Sequence, residues 1–243
     1  MGDWYKDWFA SDDYLNVYSH RDENEAKKFL SFILERLNLA PGSTVVDAAC
    51  GAGRHANILN SFGFNVIAFD LSKTLLRKAL ENYGQKERLL FYRGDIRFPA
   101  IKKGINGIFN LFTSFGYFDT DHENFLFPQK VYELLTPDGF YVLDFLNSNY
   151  VSRNLVDKSE KVVNGKKIIE TRKIVNGRVI KEISLISDAN VEKYIESVRL
   201  YSFDEIKRNF EMIGYKSVDV FGSYSGDKFD LNLSKRLIVI FRK

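Results

Sequence analysis

Three short apolar runs in the first half of the chain each lead into an aspartate. Ser43–Asp47 and Phe64–Asp70 end on one, and Leu89–Gly94 runs straight into Asp95. Between them lie two stretches with helical character, Arg54–Phe62 and Lys73–Tyr83, the second preceded by Ser72 as an N-cap. Strands and helices alternating at this spacing build βαβ units, and βαβ units build a parallel sheet. In such a sheet a ligand binds outside the carboxyl ends of the strands. Asp47, Asp70, Asp95 and the turn Ser114–Tyr117 all fall there. The first strand also opens into a turn with almost no side chains, Ala48-Ala49-Cys50-Gly51-Ala52-Gly53. Backbone N–H groups of such a turn can approach a ligand closely. Taken alone, the turn is equally an ordinary strand-to-helix connection.

The same reading extends to the rest of the chain. A helix is expected over Asp22–Leu39, stopped by Pro41-Gly42. A fourth strand is expected at Gly107–Thr113, then a helix over His122–Leu135 in which Pro128 must kink the run or start its main part. Asp138-Gly139 turns the chain into a fifth strand, Phe140–Phe145. The pattern then changes. Asn164-Gly165 and Asn176-Gly177 are two-residue hairpin turns, and Lys166–Val175, Arg178–Ser187 and Val191–Leu200 read as antiparallel strands. Their bases (Lys161, Lys166, Lys167, Arg172, Lys173, Arg178, Lys181) interleave with Glu160, Glu170 and Glu182, which suggests a solvated sheet face. Ser202 caps a helix through Met212, and Tyr215–Phe221 with Lys235–Phe241 close the fold as an antiparallel pair at the sheet edge.

Composition narrows the function. A net charge of +3 over 243 residues argues against a partner held through nucleic-acid phosphates. One cysteine excludes an internal disulfide and a cysteine zinc cage. No basic leader or run of membrane-spanning length is visible, so a cytoplasmic location and no membrane contact are expected. Residues 1–21 are too aromatic for a free tail, with Trp4, Tyr5, Trp8, Phe9, Tyr14 and Tyr18. They pack on the core or form a lid over a pocket.

An acid some 20 residues beyond a Gly-rich turn suits the two hydroxyls of a ribose. Asp70 is that acid, and Asp95 or the Ile96 backbone can read an adenine edge. The pattern favours an adenosine-containing ligand without selecting one. Here the chain resembles a known family. Val45–His55, Phe69-Asp70-Leu71-Ser72 and Arg93-Gly94-Asp95-Ile96 look like the first three cofactor motifs of class I S-adenosylmethionine-dependent methyltransferases. Phe112–Phe118 resembles the fourth-strand motif of their small-molecule branch, and Leu135–Phe140 the turn before their fifth strand.

The resemblance implies an α/β fold: a Rossmann-like, seven-stranded, mostly parallel sheet with helices on both faces, and an antiparallel β insertion after the fifth strand. The cofactor domain would comprise 1–150 and 201–243, with a lid at 1–21 and an insertion at 151–200. The implied cofactor is S-adenosyl-L-methionine, leaving S-adenosyl-L-homocysteine. By position, Asp47, Ala49 and Gly51 face its methionine end, and Gly53 allows close approach. Asp70 holds the ribose hydroxyls, with Leu71 against the adenine; Asp95 and Ile96 bind the adenine edge, and Ser72 and Gly94 beside them are further cofactor-binding residues. Phe112 and Ser114 lie near the methionine moiety, Phe115 is a further cofactor-binding residue, and Tyr18 and Arg21 reach in from the lid. Ala49 replaces a glycine of many members, a change tolerated at negative φ. Asp144 and Asn147 offer only a thin version of a metal-binding acid cluster.

Methyl transfer from a sulfonium needs alignment and desolvation more than a nucleophile. Tyr18, His20 and Tyr117 are the candidate catalytic residues; Tyr14, Arg21, Phe115, Asn147, Arg172, Arg199 and Tyr201 are further candidates around the acceptor. His55 and His122 read as packing, capping or helix-start residues, and Cys50 as a small packing residue. The expected reaction is methyl transfer to N or O of a small molecule by a monomer or homodimer. An RNA or protein methyltransferase, or a binding module without catalysis, are the alternatives.

Overall fold

A computed structural model describes residues 3–18, 23–187 and 190–243. In chain order, helices α1 (Trp4–Ala10), α2 (Asp13–Val17) and α3 (Glu23–Leu37) precede strand β1 (Thr44–Ala48). Then come α4 (Arg54–Ser61), β2 (Asn65–Asp70), α5 (Lys73–Tyr83), β3 (Leu89–Arg93), β4 (Ile105–Asn110), α6 (Asp121–Tyr132) and β5 (Leu135–Leu146). After α7 (Ser148–Arg153), four strands run in succession: β6 (Lys158–Val163), β7 (Lys166–Val175), β8 (Arg178–Ser187) and β9 (Asn190–Arg199). Helix α8 (Phe203–Ile213) and strands β10 (Lys216–Phe221) and β11 (Arg236–Arg242) complete the chain.

The main sheet has seven strands in the order β10-β11-β5-β4-β1-β2-β3. Its β1, β2, β3, β4 and β5 pair in parallel, while β11 runs antiparallel to β5 and β10. The expected α/β architecture is therefore present. Strand order reverses between β1 and β4, and the crevice at that switch point is where an open α/β sheet takes a ligand. Alternation along the strands sends successive residues to opposite faces. Val45 enters one core with Phe29, Leu30 and Ile33 of α3. Val46 enters the other with Phe125, Val131 and Phe210 of α6 and α8.

Boundaries shift from expectation, most clearly around β4, α6 and β5. Strand β4 ends at Asn110 rather than Thr113, because Phe112 (φ 57°) and Thr113 (φ 67°) are left-handed and leave the ladder. Helix α6 begins at Asp121, where the Thr120 side chain accepts from the Glu123 N–H, and it carries Pro128 within its body. Strand β5 begins at Leu135, before the Asp138-Gly139 turn.

The four-stranded antiparallel ribbon has the order β6-β7-β8-β9. Both hairpin turns put Asn and Gly at positive φ, Asn164 51° with Gly165 78° and Asn176 50° with Gly177 71°, the twist that two-residue hairpins need. The reading of its bases as one solvated face is corrected. Only Lys167 and Lys173 of the seven are exposed. A strand period of two turns Arg172 and Lys181 inward, where Glu170 and Glu196 meet them.

The N-terminal helices lie on this ribbon. Trp8 is fully buried with Val17, Ile168, Ile183 and Leu185. Its ring also contacts Tyr194 at 4.6 Å.

Candidate active site

A cavity of about 870 Å³ opens between the carboxyl ends of the parallel strands and the ribbon. That is toward the large end of ordinary ligand pockets, which run to about 1,000 Å³.

The floor is made by the turns after β1, β2, β3 and β4. Asp47 closes β1, almost fully buried, and one of its carboxylate oxygens, Oδ2, has no partner among the described residues. Burial pushes its carboxyl up to about 7, partly opposed by a bond from the Ala56 N–H, while Asp70 adds to the rise. In the turn itself Ala49 (φ 57°) and Gly51 (φ 56°) are left-handed. The expectation of a negative φ at Ala49 is thus corrected: its methyl sits in a conformation costing about 1–2 kcal/mol. The Cys50 N–H donates to the Phe69 carbonyl at 2.9 Å, and its buried thiol is held protonated by burial.

Asp70 fastens this turn to the next. Its Oδ2 accepts the Gly51 N–H at 2.8 Å and its Oδ1 accepts the Ser72 N–H at 2.8 Å. Burial raises its carboxyl, against those N–H bonds. Asp95 is held differently. Arg97 grips it from Nη2 at 2.8 Å and from its backbone N–H at 2.9 Å, and also reaches Glu123 at 3.0 Å. Burial raises the Asp95 carboxyl, but Arg97 outweighs that and the net shift is downward. In the turn after β4, the Phe112 N–H donates to Asp144 at 2.9 Å. Arg236 (2.6 Å) and the Tyr224 hydroxyl (3.0 Å) hold Asp144 from the other side.

Of the residues singled out in the sequence, Asp47, Ala49, Gly51, Asp70 and Leu71 border the cavity. So do Gly94, Asp95 and Ile96, and, at the next turn, Phe112, Ser114, Phe115 and Tyr117. Gly53 and Ser72 do not. A side chain on Gly53 would meet Phe91 at 2.8 Å and Ala79 at 2.9 Å, so this glycine serves helix packing rather than ligand approach. The Ser72 hydroxyl caps α5 at the Leu75 N–H and donates to the Phe9 carbonyl. Arg21 and His20 lie outside the described residues.

Three acceptor candidates point elsewhere. Asn147 caps α7 and donates to the Ser234 and Leu231 carbonyls at 2.7 and 2.9 Å. Tyr201 is buried in the core against Asp121 (2.5 Å) and Asn124 (3.1 Å), and its hydroxyl is pushed well up by burial. Arg199 pairs with Glu205 at 3.0 Å. Asp144, weighed as part of a metal cluster, instead anchors the β4 turn. His122 is the second residue of α6.

The roof is aromatic and charged. Trp4, Phe9, Tyr14 and Tyr18 of the N-terminal segment border the cavity. Their rings interlock, Trp4–Tyr117 at 5.1 Å, Phe9–Tyr14 at 4.9 Å and Tyr14–Tyr18 at 5.1 Å. The Tyr18 hydroxyl donates to Glu196 at 2.5 Å and accepts from Lys181. The Trp8 indole N–H donates to the same carboxylate at 2.6 Å. Ser159, Lys181 and Glu196 border the cavity though no motif marks them, and Arg54 and His55 do so from the start of α4. Strand alternation was the available signal for Lys181 and Glu196.

Comparison with known proteins bears on this arrangement. Residues 45–139 match the family model of a methyltransferase domain. The match spans β1 to the turn within β5, the segment that supplies the cavity floor. A glycine/sarcosine N-methyltransferase of Halorhodospira halochloris is 26% identical over 141 residues, 56% of this chain and 52% of that protein. The chain thus aligns with about half the length of that relative. An S-adenosylmethionine-dependent methyltransferase of Clostridium acetobutylicum has a similar fold, TM-score 0.81 at 19% identity, over 95% of each chain. A similar fold, TM-score 0.67 at 17% identity, is found in an S-adenosylmethionine-bound amino pentose methyltransferase of Micromonospora echinaspora, over 93% and 96% of the chains. In fold, the chain is similar to S-adenosylmethionine-dependent methyltransferases, the family its motifs resemble. No helix among the described residues is long and apolar enough to cross a membrane.

Proposed function

We propose that the chain is an S-adenosylmethionine-dependent methyltransferase that transfers a methyl group to an amine nitrogen of a small molecule held beneath the roof. The observation that carries this reading is the orphaned, buried Asp47 oxygen beside the Asp70 carboxylate, in a cavity with further space below aromatic rings. An unpartnered buried carboxylate is costly unless a ligand completes it. The cationic amino group of S-adenosylmethionine fits Asp47, and Asp70 retains lone pairs for the ribose hydroxyls.

When bound, S-adenosylmethionine supplies a methyl group already activated by its sulfonium. The protein's residues then do the rest. The β1 turn and Asp70 set the donor's place on the floor. Trp4, Phe9 and Tyr117 exclude water and present ring faces that favour a cation. Nitrogen as the accepting atom is supported by the glycine/sarcosine N-methyltransferase relative. A single chain supplies floor and roof, which supports function as a monomer or a homodimer.

Calorimetric titration with S-adenosylmethionine, S-adenosylhomocysteine and NAD tests the donor. Both sulfur ligands are expected to bind and NAD is not. NAD binding without either of them would refute the reading. Transfer of a labelled methyl group into a metabolite extract, followed by mass analysis of the product, tests nitrogen as the acceptor atom.

A further inference from the structure

The inner face of the ribbon is apolar at one end, where Ile168, Ile183 and Leu185 cover Trp8, but charged in its middle. Arg172 lies opposite Lys181, and Lys181 opposite Glu196, across three adjacent strands. Glu170, paired with Ser159 on β6, stands behind Arg172. These charges are mostly buried, 12–21% exposed. They are also mutually neutralised: Arg172–Glu170 at 2.5 Å, Lys181–Glu196 at 2.6 Å and Lys181–Glu170 at 3.7 Å. Two cations and two carboxylates cancel, so an ionised ligand group meeting this wall must break an existing pair to gain one of its own.

What the wall retains is hydrogen-bonding capacity of both kinds. Arg172 uses Nη1 for Ser159 (3.0 Å) and the Val156 carbonyl (3.4 Å), and Nη2 for Glu170. Its Nε–H has no partner among the described residues. Glu196 accepts from Trp8, Tyr18 and Lys181, which leaves its carboxylate a lone pair. A hydroxyl group satisfies both, since it donates and accepts. The Phe9, Tyr14 and Tyr117 rings, which also border the cavity, offer an apolar surface for the C–H face of a ring.

We infer that this wall, Ser159–Arg172–Lys181–Glu196, is the acceptor subsite, and that it takes the uncharged hydroxyl edge of a polyhydroxylated ring of the sugar class, the accepting amine lying away from the wall. Arg172 and Glu196 fix its hydroxyls, and the aromatic roof covers its carbon face. The inference rests on the methyl-transfer reading, and the experiment separates the two.

The full-length chain is loaded with S-adenosylhomocysteine and probed by saturation-transfer NMR with glucosamine, glucose, glycine and sarcosine. Calorimetry confirms the loading first; failure to load refutes the methyl-transfer reading itself. In the loaded protein both hexoses are expected to show transfer and both amino acids none. Arg172→Met is expected to weaken hexose binding by at least about tenfold with S-adenosylhomocysteine affinity unchanged. Arg172→Lys should recover part of that loss, and Ser159→Ala, which removes no charge, should give a smaller one. Thermal melting checks that each variant folds. Loaded protein that binds neither hexose, that prefers the amino acids, or that binds hexoses equally as Arg172→Met overturns the subsite.

Discussion

The floor and the roof of the cavity are built by opposite means. The floor is backbone. Its turns follow β1, β2, β3 and β4, they are short in sequence, and Asp70 ties two of them together through main-chain N–H groups. The roof is side chain. Trp8 and Glu196, bonded at 2.6 Å, stand 188 residues apart, and the other contacts that dock α1 and α2 on the ribbon are likewise distant in sequence. Lys166–Asp13 at 2.7 Å is one of them. Backbone turns hold a ligand common to many proteins; side-chain walls can change without disturbing the sheet. The comparison implies that donor binding and acceptor choice are separable.

Trp8→Ala tests that separation most severely. Emptying a fully buried indole site should cost about 3–5 kcal/mol, with the Glu196 bond lost as well. Hydrogen exchange should rise in α1, α2 and β6–β9, while β1, β2 and β4 stay protected. Equal loss across the main sheet would show floor and roof to be one cooperative unit.

Asp70→Ala addresses the floor. It removes the acceptor for the Gly51 and Ser72 N–H groups and for a ribose. S-adenosylhomocysteine affinity should fall roughly 100-fold, about 2.7 kcal/mol. Calorimetry reads it, with the roof's exchange pattern expected to be unchanged.

Asp47 sets a pH dependence on the floor. Its carboxyl is raised from 3.8 to about 7 in the fold. Below pH 3.8 both folded and unfolded chains keep the proton and nothing is lost. Between 3.8 and about 7 the unfolded chain releases its proton first, so the Asp47 contribution to stability falls as pH rises, then levels off. Melting of ligand-free protein across this window should show that decline, and Asp47→Asn should flatten it.

The smallest effect is expected at Ala49. Glycine adopts φ 57° without the Cβ penalty, so Ala49→Gly should stabilise the turn by at most about 1 kcal/mol, less the entropy glycine adds to the unfolded chain. A melting shift without a change in roof exchange would confirm that the strain is local.

Most of the floor was legible because its determinants are local. Asp47, Asp70 and Asp95 close runs whose apolar period declares them strands, and Gly51 sits in a turn of small residues. Local signals failed where a neighbour distant in sequence decides. Gly53 looks like a ligand glycine, but Phe91 and Ala79 occupy the space beside it. Tyr201 and Asn147 are polar residues near the right strand ends that the core had already engaged.

The sequence by itself determined the alternation of strands and helices from β1 to β5, the parallel sheet with its crevice, and the hairpin turns at Asn164-Gly165 and Asn176-Gly177. These follow from periodicity and backbone preference, which act over a few residues. Only the tertiary structure decided which ribbon charges face the cavity and what Tyr18 touches. It also settled that Ala49 bears a left-handed strain. Those outcomes depend on burial and on partners far along the chain, and no local pattern encodes them.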